Sequence, residues 1–543
     1  MKFLFFTLLF LGFSETFCAQ KATPKLVVGI VVDQMSYDYL YRFYNQFGNG
    51  GFKRLMNQGT NFRNVVYNYV PTYTGPGHAS IYTGTASENH GIVANDWFHK
   101  AYGKEVNCVE DTTVISIGTS SKDGQCSPQF LRANTITDQL KLTYPLSKVI
   151  GVSIKDRGAI LPAGHLSDGS FWYDYTSGNF ITSSFFADQL PTWSESFRIS
   201  NPFLQYANQV WNCVKDSESY QYGAKDNSKY EVLLGGKKAP TFPYDFSALP
   251  IDQKITNFTA LPFANSYLTD YALAAMKGEK LGTDASTDFL AISYSTPDIA
   301  GHAFGPYSLE MEDLYIRLDQ DIAKLLYELD ASVGKGKYVV FLTADHAVVP
   351  VPEFLIDNQL PGGYLFLAER ESNLRKACVD EFQVDCIETI DNNNVYIKKE
   401  FENSPTQIEM IAFIQNQIQL WPEVKEVFNM KQDVSEPSIW RKMVQSGYDR
   451  ERSGELIFIL QPGYLTKSAD SKNARKGTSH GSAFNYDTHV PVLFYGANIP
   501  KNEVFTTYEI TDIAATLVHI LNVQRPNAMT GKPMVEILNL KTK

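Results

Sequence analysis

Side chains of the types that bind metal ions follow several hydrophobic runs in this sequence. Asp33 ends one run, Asp298 and His302 follow a second, and Asp345 with His346 ends a third. Carboxylate and imidazole ligands at the ends of neighbouring strands are how an α/β protein builds a hydrolytic site with two metal ions. The sequence therefore suggests a metal-dependent hydrolytic site.

Each cluster also has a simpler explanation. In PDIAGHAFGP, Asp298 and His302 are four residues apart, and on a helical turn they share one face, as a solvated aspartate and a structural histidine also would. In TADH, Asp345 and His346 are neighbours at the end of a predicted strand. Because neighbouring strand side chains point to opposite faces, we expect these two to contact different partners.

The segment GTSHGSAFNYDTHVP contributes two more histidines. His480 follows small residues and has the better context for a metal ligand, whereas His489 directly precedes a predicted strand. For His489, a supporting hydrogen bond is at least as good an explanation as ligation.

A nucleophile and two cations complete the candidate chemistry. Thr74, in PTYTGPGHASIYTG, precedes a short helical segment and is either an N-cap or a hydroxyl at a phosphate-binding helix terminus. A bound divalent cation would lower the pKa of that hydroxyl and make it a nucleophile. Lys155 and Arg157, in KDR, point the same way if extended; they are either a solvated pair or ligands for phosphoryl oxygens.

Hydrophobic runs rich in β-branched residues alternate with helical patterns, which predicts an α/β fold with a mostly parallel sheet sandwiched by helices. A helix is predicted over 308–330, where leucine and isoleucine recur at three- and four-residue spacing after the N-cap candidate Ser308. Ligands collect at the carboxyl ends of strands in such sheets, where Asp33, Lys155, Asp298 and Asp345 fall. The predicted strands are 26–32, 148–154, 289–295, 338–344 and 490–496.

The composition limits the class of protein. The chain has 543 residues, with 48 basic and 59 acidic side chains and a net charge of −11, so a nucleic-acid partner is not expected. Residues 1–19 resemble a secretory signal peptide, with a lipidated Cys18 or an N-terminal anchor as alternatives. No later stretch is long and apolar enough to span a membrane, so we expect residues 20–543 to be soluble and periplasmic or secreted.

The remaining cysteines and two long blocks leave questions open. Cys108 with Cys126, and Cys378 with Cys386, can close short disulfide loops that leave Cys213 over, but buried free thiols explain them equally well. Residues of about 100–275 and 350–475 are expected to be insertions that cap the active-site face of one catalytic domain.

Taken jointly, the order Asp, Thr, Asp-x-x-x-His, Asp-His, His resembles the alkaline phosphatase superfamily, and within it the phosphate-irrepressible (PafA-type) zinc alkaline phosphatases. The resemblance covers nearly the whole mature chain. It departs from the family at Ala347, where Gly is more usual, and at Gly75-Pro76, where we expect a bulkier pair. The matching segments are KLVVGIVVDQM, NYVPTYTGPGHASIYTG, GIVANDWF, GVSIKDRGAILPAGH, STPDIAGHAFGP, FLTADH and KGTSHGSAFNYDTHVP.

The resemblance implies an exported, monomeric phosphomonoesterase of broad specificity that forms a phosphothreonine, releases inorganic phosphate and binds two Zn²⁺ per chain. It also implies that Asn95 hydrogen-bonds a phosphoryl oxygen and that Lys155 and Arg157 hold the others. By the same resemblance, one zinc is held by Asp298, His302 and His480, and the other by Asp33, Asp345, His346 and the nucleophile Thr74.

Three alternatives remain. A phosphodiesterase of the nucleotide pyrophosphatase type shares this ligand set, but the Lys155/Arg157 pair favours monoesters with two free charges. A sulfatase needs C-x-P-x-R, and the nearest segment, Cys126-Ser-Pro-Gln-Phe, lacks the arginine. A non-catalytic exported binding protein on a degenerate hydrolase fold usually lacks a ligand or the nucleophile, and all seven positions are present here.

Overall fold

A ten-stranded sheet lies at the centre of the computed structural model, which describes residues 23–200, 202–222, 226–432 and 437–538. The predicted signal peptide, residues 1–19, lies outside the described residues. The strands are β1 Leu26–Val32, β2 Thr60–Val66, β3 Asp96–His99, β4 Lys104–Asn107, β5 Ser116–Ile117, β6 Val149–Ser153, β7 Gly169–Tyr173, β8 Phe180–Ser183, β9 Asp288–Tyr294, β10 Tyr338–Thr343, β11 Gly363–Phe366, β12 Ile387–Asp391, β13 Asn394–Ile397, β14 Val424–Asn429, β15 Leu456–Leu460, β16 Tyr464–Lys467, β17 His489–Gly496 and β18 Asn502–Glu509.

The order of strands in the central sheet is β18-β2-β17-β10-β1-β9-β6-β7-β8-β5. Strands β10, β1, β9, β6 and β7 are parallel, whereas β17 and β8 run against their neighbours. The predicted mostly parallel α/β sheet is therefore confirmed. β1 is completely buried along its length, as expected for a strand covered by helices on both faces.

Helices flank this sheet. The helices are α1 Tyr39–Arg42, α2 Phe52–Gln58, α3 Thr74–Thr83, α4 Ser87–His90, α5 Ile136–Thr143, α6 Asp156–Ala163, α7 Thr192–Ile199, α8 Pro202–Ala207, α9 Ile251–Phe258, α10 Phe263–Gly278, α11 Thr296–Phe304, α12 Leu309–Leu329, α13 Pro352–Asp357, α14 Leu367–Phe382, α15 Pro405–Gln419, α16 Ile439–Gly447, α17 Asn485–Thr488 and α18 Asp512–Leu521. One group of helices, α3, α5, α6 and α18, packs together, and a second group is built around α10 and α12.

The helix predicted over 308–330 is α12, which lies between β9 and β10 in the chain. The Ser308 side chain accepts a hydrogen bond from the Met311 backbone N–H, so Ser308 is the N-cap as predicted. The apolar stripe of α12 is buried in the main core, where Leu314, Leu318 and Ile322 are fully inaccessible. The same hydrophobic periodicity that predicted the helix thus accounts for its packing.

Residues 363–467 contain a smaller second lobe. Strands β12, β13, β15 and β14 form a four-stranded sheet, against which α14 and α15 bury a separate apolar core. The described cysteines Cys108, Cys126, Cys213, Cys378 and Cys386 are free thiols. Among the described residues, no helix combines the length and the apolar character needed to cross a bilayer.

The buried carboxyl of Asp321 on α12 makes the free energy of unfolding depend on pH. It is 7% exposed, accepts a hydrogen bond from the Ser266 hydroxyl at 3.0 Å, and burial raises the pKa of its carboxyl to about 7. The folded protein therefore binds this proton more tightly than the unfolded chain does. Its contribution to the free energy of unfolding is full below about pH 4 and is lost as pH rises to about 7.

We expect Asp321→Asn to stabilise the protein at pH 8 by roughly 1–4 kcal/mol and to change little at pH 4, because the amide cannot ionise. Denaturant unfolding of parent and variant at both pH values measures this. A difference between the two proteins that is independent of pH would contradict the assignment.

Candidate active site

The candidate residues meet at the carboxyl edge of four adjacent strands, β10, β1, β9 and β6. Asp33 directly follows β1, Asp345 lies two residues beyond β10, and Lys155 lies two residues beyond β6. Asp298 belongs to α11, which begins immediately after β9. The parallel topology thus brings together side chains that are more than 300 positions apart in the chain, as the carboxyl-end rule predicts.

One group of ligand atoms surrounds Asp298. Its Oδ1 lies 3.1 Å from His302 Nε2 and 3.5 Å from His480 Nε2. Asp298 and His302 are one turn apart on α11, so the predicted shared helical face is observed. The side chain of His302 is 38% exposed, whereas that of His480 is 5% exposed, so this group is open to solvent on the His302 side.

A second group is completely buried. His346 Nε2 lies 3.4 Å from Asp33 Oδ1 and 3.5 Å from Asp345 Oδ2. Asp345 and His346 share Asp33 as a neighbour, because β10 ends at Thr343 and strand alternation no longer applies beyond it. They also have separate partners, the Gln34 N–H for Asp345 and Thr74 Oγ1 for His346. Two triplets have ligand atoms within 4.8 Å of one another, Asp298/His346/His480 and Asp33/Asp345/His346.

The three histidines share one hydrogen-bonding arrangement. In each ring Nδ1 donates to a backbone carbonyl: His302 to Thr478 at 2.8 Å, His346 to Ala347 at 2.9 Å and His480 to Thr72 at 2.7 Å. In a neutral ring this bond fixes the tautomer and leaves the Nε2 lone pair facing the carboxylates. Burial opposes protonation of His302, but the Asp298 carboxylate outweighs it and raises the pKa of that ring. A histidine whose Nδ1 is held in this way is oriented as a metal ligand.

The ionisation states fit the same role. Burial lowers the pKa of His480 to about 3, and burial with the neighbouring His480 holds the pKa of His346 well below its ordinary value. Both rings are therefore neutral at pH 7. Burial favours the protonated form of Asp298, but His302 and Lys155 outweigh it and hold the pKa of that carboxyl well below its usual range.

Two buried carboxylate oxygens without hydrogen-bond partners are a further indication of a metal site. Asp33 Oδ1 and Asp345 Oδ2 are inaccessible and make no hydrogen bond. An unpaired buried carboxylate oxygen is costly unless a cation binds it. Inward Nε2 atoms together with these oxygens form a donor set that suits a divalent metal.

Thr74 is the first residue of α3 and is not its N-cap, which is Tyr73. Thr74 is 1% exposed, and its Oγ1 lies 3.5 Å from His346 Nε2 and 3.3 Å from Lys155 Nζ. The hydroxyl therefore faces the ligand groups and leaves the helix amides to other partners. The N-cap alternative weighed from the sequence is wrong.

Asn95 lies beside the first turn of α3, next to Thr74. Its Oδ1 accepts a hydrogen bond of 2.7 Å from the backbone N–H of Gly75. A Cβ at Gly75 would lie 3.3 Å from that oxygen and 3.1 Å from Cys108 Sγ, so a larger residue here would have to move one of these neighbours slightly. Because Oδ1 is committed to Gly75, the Asn95 amide group has its two N–H donors available for a ligand.

Lys155 is the cation at the centre of the site. Its Nζ donates to Asp33 Oδ2 and to Asp298 Oδ2, both at 2.6 Å. Burial disfavours the charged ammonium, but the Asp298 and Asp33 carboxylates outweigh it and raise the pKa of Lys155. The side chain thus contacts one carboxylate of each ligand group as well as the Thr74 hydroxyl.

Lys155 and Arg157 would point the same way if the segment were extended, but a helix begins between them. Lys155 is the N-cap of α6 and Arg157 is the second residue of that helix. Both nevertheless line one cleft of about 570 Å³, and the buried Arg157 Nε has no hydrogen-bond partner. The helix start therefore places both cations at the same cleft by a different geometry.

Two residues near the ligands were missed from the sequence. Gln34 hydrogen-bonds Asp298 through its side chain and Asp345 through its backbone N–H. His78 Nδ1 lies 2.9 Å from the Thr74 carbonyl and 3.5 Å from Asp345 Oδ2, and His78 Nε2 lies 2.8 Å from Ser293 Oγ. Neither residue belongs to a spacing pattern that could have identified it.

The remaining candidates lie elsewhere. His489 Nε2 bonds the Arg63 carbonyl at 3.0 Å and its ring stacks on Tyr37, so it is a hydrogen-bonding residue away from the ligands. A cavity of about 290 Å³ is bordered by Tyr73 and His480 on one side and by the β12–β13 hairpin of the second lobe on the other.

Known proteins resemble this chain along its whole length. It is 41% identical over 522 residues to the alkaline phosphatase PafA of Elizabethkingia meningoseptica, covering 95% of this chain and 94% of the relative. It is 40% identical to the alkaline phosphatase PhoV of Synechococcus elongatus, covering 95% and 93%. The chain belongs to the alkaline phosphatase family. The resemblance and the enzyme class predicted from the sequence are therefore confirmed.

Comparison with solved structures shows the same similarity as comparison of the sequences. The crystal structure of wild-type PafA matches with a TM-score of 0.91 at 40% identity, covering 95% of this chain and 99% of that one. A solved variant of PafA carries substitutions at one threonine, one asparagine, one lysine and one arginine. The murine ectonucleotide pyrophosphatase/phosphodiesterase 5 shares the fold alone, with a TM-score of 0.53 at 15% identity over 95% and 98% of the two chains.

The sequence also matches the family described as Type I phosphodiesterase / nucleotide pyrophosphatase over residues 27–483. Diesterases and alkaline phosphatases of this kind thus share one fold. The identity to the named alkaline phosphatases over nearly the full chain is the more specific of the two findings. Divalent metal binding follows from this family and from the candidate ligand groups.

Gly77 provides a test of how α3 is held against the ligands. A Cβ at Gly77 would overlap the Asp345 backbone. Gly→Ala inside a helix ordinarily stabilises, but here we expect Gly77→Ala to destabilise by roughly 1–3 kcal/mol and to reduce bound metal, because Thr74 would be displaced from His346.

Unfolding free energies and metal content of the purified variants measure this effect. Gly48→Ala is the control, because a Cβ there meets only Asp319 Oδ2, at 3.4 Å. A Gly77→Ala protein as stable and as metal-rich as the parent would show that the approach of α3 is not tight.

Proposed function

We propose that this protein is an exported zinc-dependent phosphate monoester hydrolase that acts through a phosphothreonine on Thr74. The observation that carries the proposal is the position of the Thr74 hydroxyl, 3.5 Å from His346 Nε2 and 3.3 Å from Lys155 Nζ. A hydroxyl in that position has a candidate metal ligand, His346, and a cation, Lys155, beside it, as an activated nucleophile requires.

Two zinc ions per chain are proposed, with the nitrogen and oxygen donors that zinc prefers. When bound, such ions supply Lewis acidity and lower the pKa of a coordinated hydroxyl. Asp298, His302 and His480 would hold one ion. The other would be held by Asp33, Asp345, His346 and Thr74.

The chain's own residues carry the remaining steps. Thr74 Oγ1, its proton lost to solvent, attacks phosphorus in line, and the Oγ1–phosphorus bond forms. The bond from phosphorus to the leaving oxygen breaks, and that oxygen takes a proton from water to leave as the alcohol. Water then cleaves the phosphothreonine and releases inorganic phosphate. Asn95 N–H groups, Lys155 and Arg157 hold the phosphoryl oxygens, and positioning with electrostatics supplies most of the catalysis in such transfers.

Phosphate monoesters are favoured over diesters as substrates because a monoester presents more unesterified oxygens to the side chains of Lys155 and Arg157. Lys155 and Arg157 line one cleft, and the pKa of each is raised by nearby carboxylates that outweigh burial, so both stay charged. The alternative, a nucleotide pyrophosphatase-type phosphodiesterase, is favoured only by the family match over 27–483. A broad range of phosphomonoesters is proposed, because the match to PafA gives no one alcohol preference.

Export, assembly and domain limits are part of the proposal. Residues 1–19 would be the signal peptide, and residues 20–543 one monomeric alkaline-phosphatase-like catalytic domain in the periplasm or outside the cell. The insertions, about 100–275 and 350–475, would cap the active-site face. The cavity shared by the β12–β13 hairpin and His480 supports that role for the second insertion.

Replacing Thr74 tests the covalent route. Thr74→Ala is expected to abolish hydrolysis of an aryl phosphate, whereas Thr74→Ser keeps a hydroxyl and should retain measurable activity. Chelation should inactivate the parent, and Zn²⁺ should restore it. Full activity in Thr74→Ala, or restoration of the parent without any divalent metal, would refute the proposal.

Arg157 tests the substrate class. Arg157→Ala should lower kcat/KM for an aryl phosphate by about 10²-fold or more, by analogy with loss of an oxyanion donor, and should affect a diaryl phosphate much less. Arg198→Ala is the control, because Arg198 pairs with Glu195 on the surface, where both side chains are over a third exposed. A parent that hydrolyses the diester faster than the monoester would favour the phosphodiesterase.

A further inference from the structure

Gln34 contacts carboxylates of both candidate ligand groups. Its side-chain Nε2 donates to Asp298 Oδ1 at 2.6 Å, and its backbone N–H donates to Asp345 Oδ1 at 3.1 Å. Gln34 is 1% exposed, so neither bond competes with solvent.

The side-chain bond is directed at the oxygen that faces the histidines. Asp298 Oδ1 is the atom near His302 Nε2 and His480 Nε2, whereas Oδ2 receives Lys155. A carboxylate oxygen can only accept, so the Gln34 amide must present its N–H₂ to it. Gln34 and Lys155 therefore hold the carboxylate from its two oxygens and fix its rotation.

A glycine on α11 makes room for this amide. A Cβ at Gly301 would overlap Gln34 Oε1, and Gly301 lies between Asp298 and His302 on the same helix. A glycine in a helix interior costs about 1 kcal/mol relative to alanine, so its presence needs a packing reason. The close approach of Gln34 is that reason.

The backbone of Gln34 is also unusual. Its φ is 65°, in the left-handed region that non-glycine residues seldom adopt. This conformation lies two residues beyond the end of β1 at Val32, where the Gln34 N–H donates to Asp345. Strained backbone held by its surroundings is concentrated at functional sites.

We propose that Gln34 is a positioning residue that orients Asp298 as a metal ligand. Its side chain would set the affinity of the Asp298/His302/His480 group, and its backbone alone would support the Asp33/Asp345/His346 group. This inference rests on the proposed two-metal function. It goes beyond it by assigning the two bonds of one residue to two different ions.

The separation of roles gives a selective prediction. Gln34→Met keeps the length of the side chain and removes the amide, while the backbone N–H to Asp345 remains. We expect one of the two ions to bind about 10–100-fold more weakly, as is typical when a group that supports a ligand is lost. The second ion should keep the affinity that it has in the parent.

Competition with a graded series of chelators, with zinc counted per chain, measures both affinities in the full mature protein. Gln34→Gly is the second variant, because glycine adopts φ 65° without strain and secures a folded protein that lacks the side chain. Gln407→Met is the matched control, a glutamine that is 5% exposed and bonds the Asn403 N–H in the second lobe.

A reference variant identifies which ion is lost. His302→Ala should weaken binding of the ion held by Asp298, His302 and His480, which identifies that ion. Adding Gln34→Met to His302→Ala should leave the affinity for the other ion unchanged, since both changes act on the same ligand group. Equal weakening of both ions, or parental affinity for both in Gln34→Met and Gln34→Gly, would overturn the inference. A parent protein that binds no zinc would instead overturn the proposed function.

Discussion

The burial of three carboxylates at one edge of the sheet is the constraint on which the rest of the structure depends. Asp33, Asp298 and Asp345 are each 3% exposed or less and lie at the ends of neighbouring strands. Buried ions cost several kcal/mol each unless a cation and hydrogen bonds compensate them. Lys155 supplies part of that compensation through two bonds of 2.6 Å, and the raised pKa of Asp345, caused by burial and by Asp33, shows that the compensation is incomplete. Because the negative charge of these carboxylates is only partly compensated, binding of a divalent cation here is energetically favourable.

Close approach of backbones lets the elements around this edge share so small a space. Gly77 brings the first turn of α3 against Asp345, and Gly301 admits the Gln34 side chain beside α11. At Gly151 in β6 a Cβ would overlap the Ala159 carbonyl of α6, so the helix that begins beside Lys155 also packs directly on its strand. Larger residues at these positions would separate the helices from the strand ends by more than the hydrogen bonds allow.

Much of this was predictable from local sequence, because buried parallel strands and a striped helix have simple periodicities. β1, β9 and β10 were predicted within a residue or two, as was α12 with its N-cap Ser308. Strand order was not, because the antiparallel place of β17 between β2 and β10 depends on long-range pairing that leaves no local pattern. Strand alternation could not bring Asp345 and His346 together, since that depends on where β10 ends, and only the family resemblance assigned both to one ion. Gln34 was missed because one polar residue after a strand has no periodicity.

The two ligand groups differ in exposure, and this difference has a consequence for the proposed reaction. His346 and its carboxylate partners are inaccessible and lie next to Thr74, whereas the side chain of His302 in the other group is 38% exposed. In an in-line transfer the leaving oxygen departs on the side opposite the nucleophile, which in the proposed arrangement is the side of the exposed group. The side chain of His302 on that side reaches solvent, whereas His480 in the same group borders the cavity that the β12–β13 hairpin also lines. We therefore propose that the phosphoryl oxygens, which every phosphomonoester presents to Lys155 and Arg157, and the solvent-accessible side at His302 together permit a broad range of leaving alcohols.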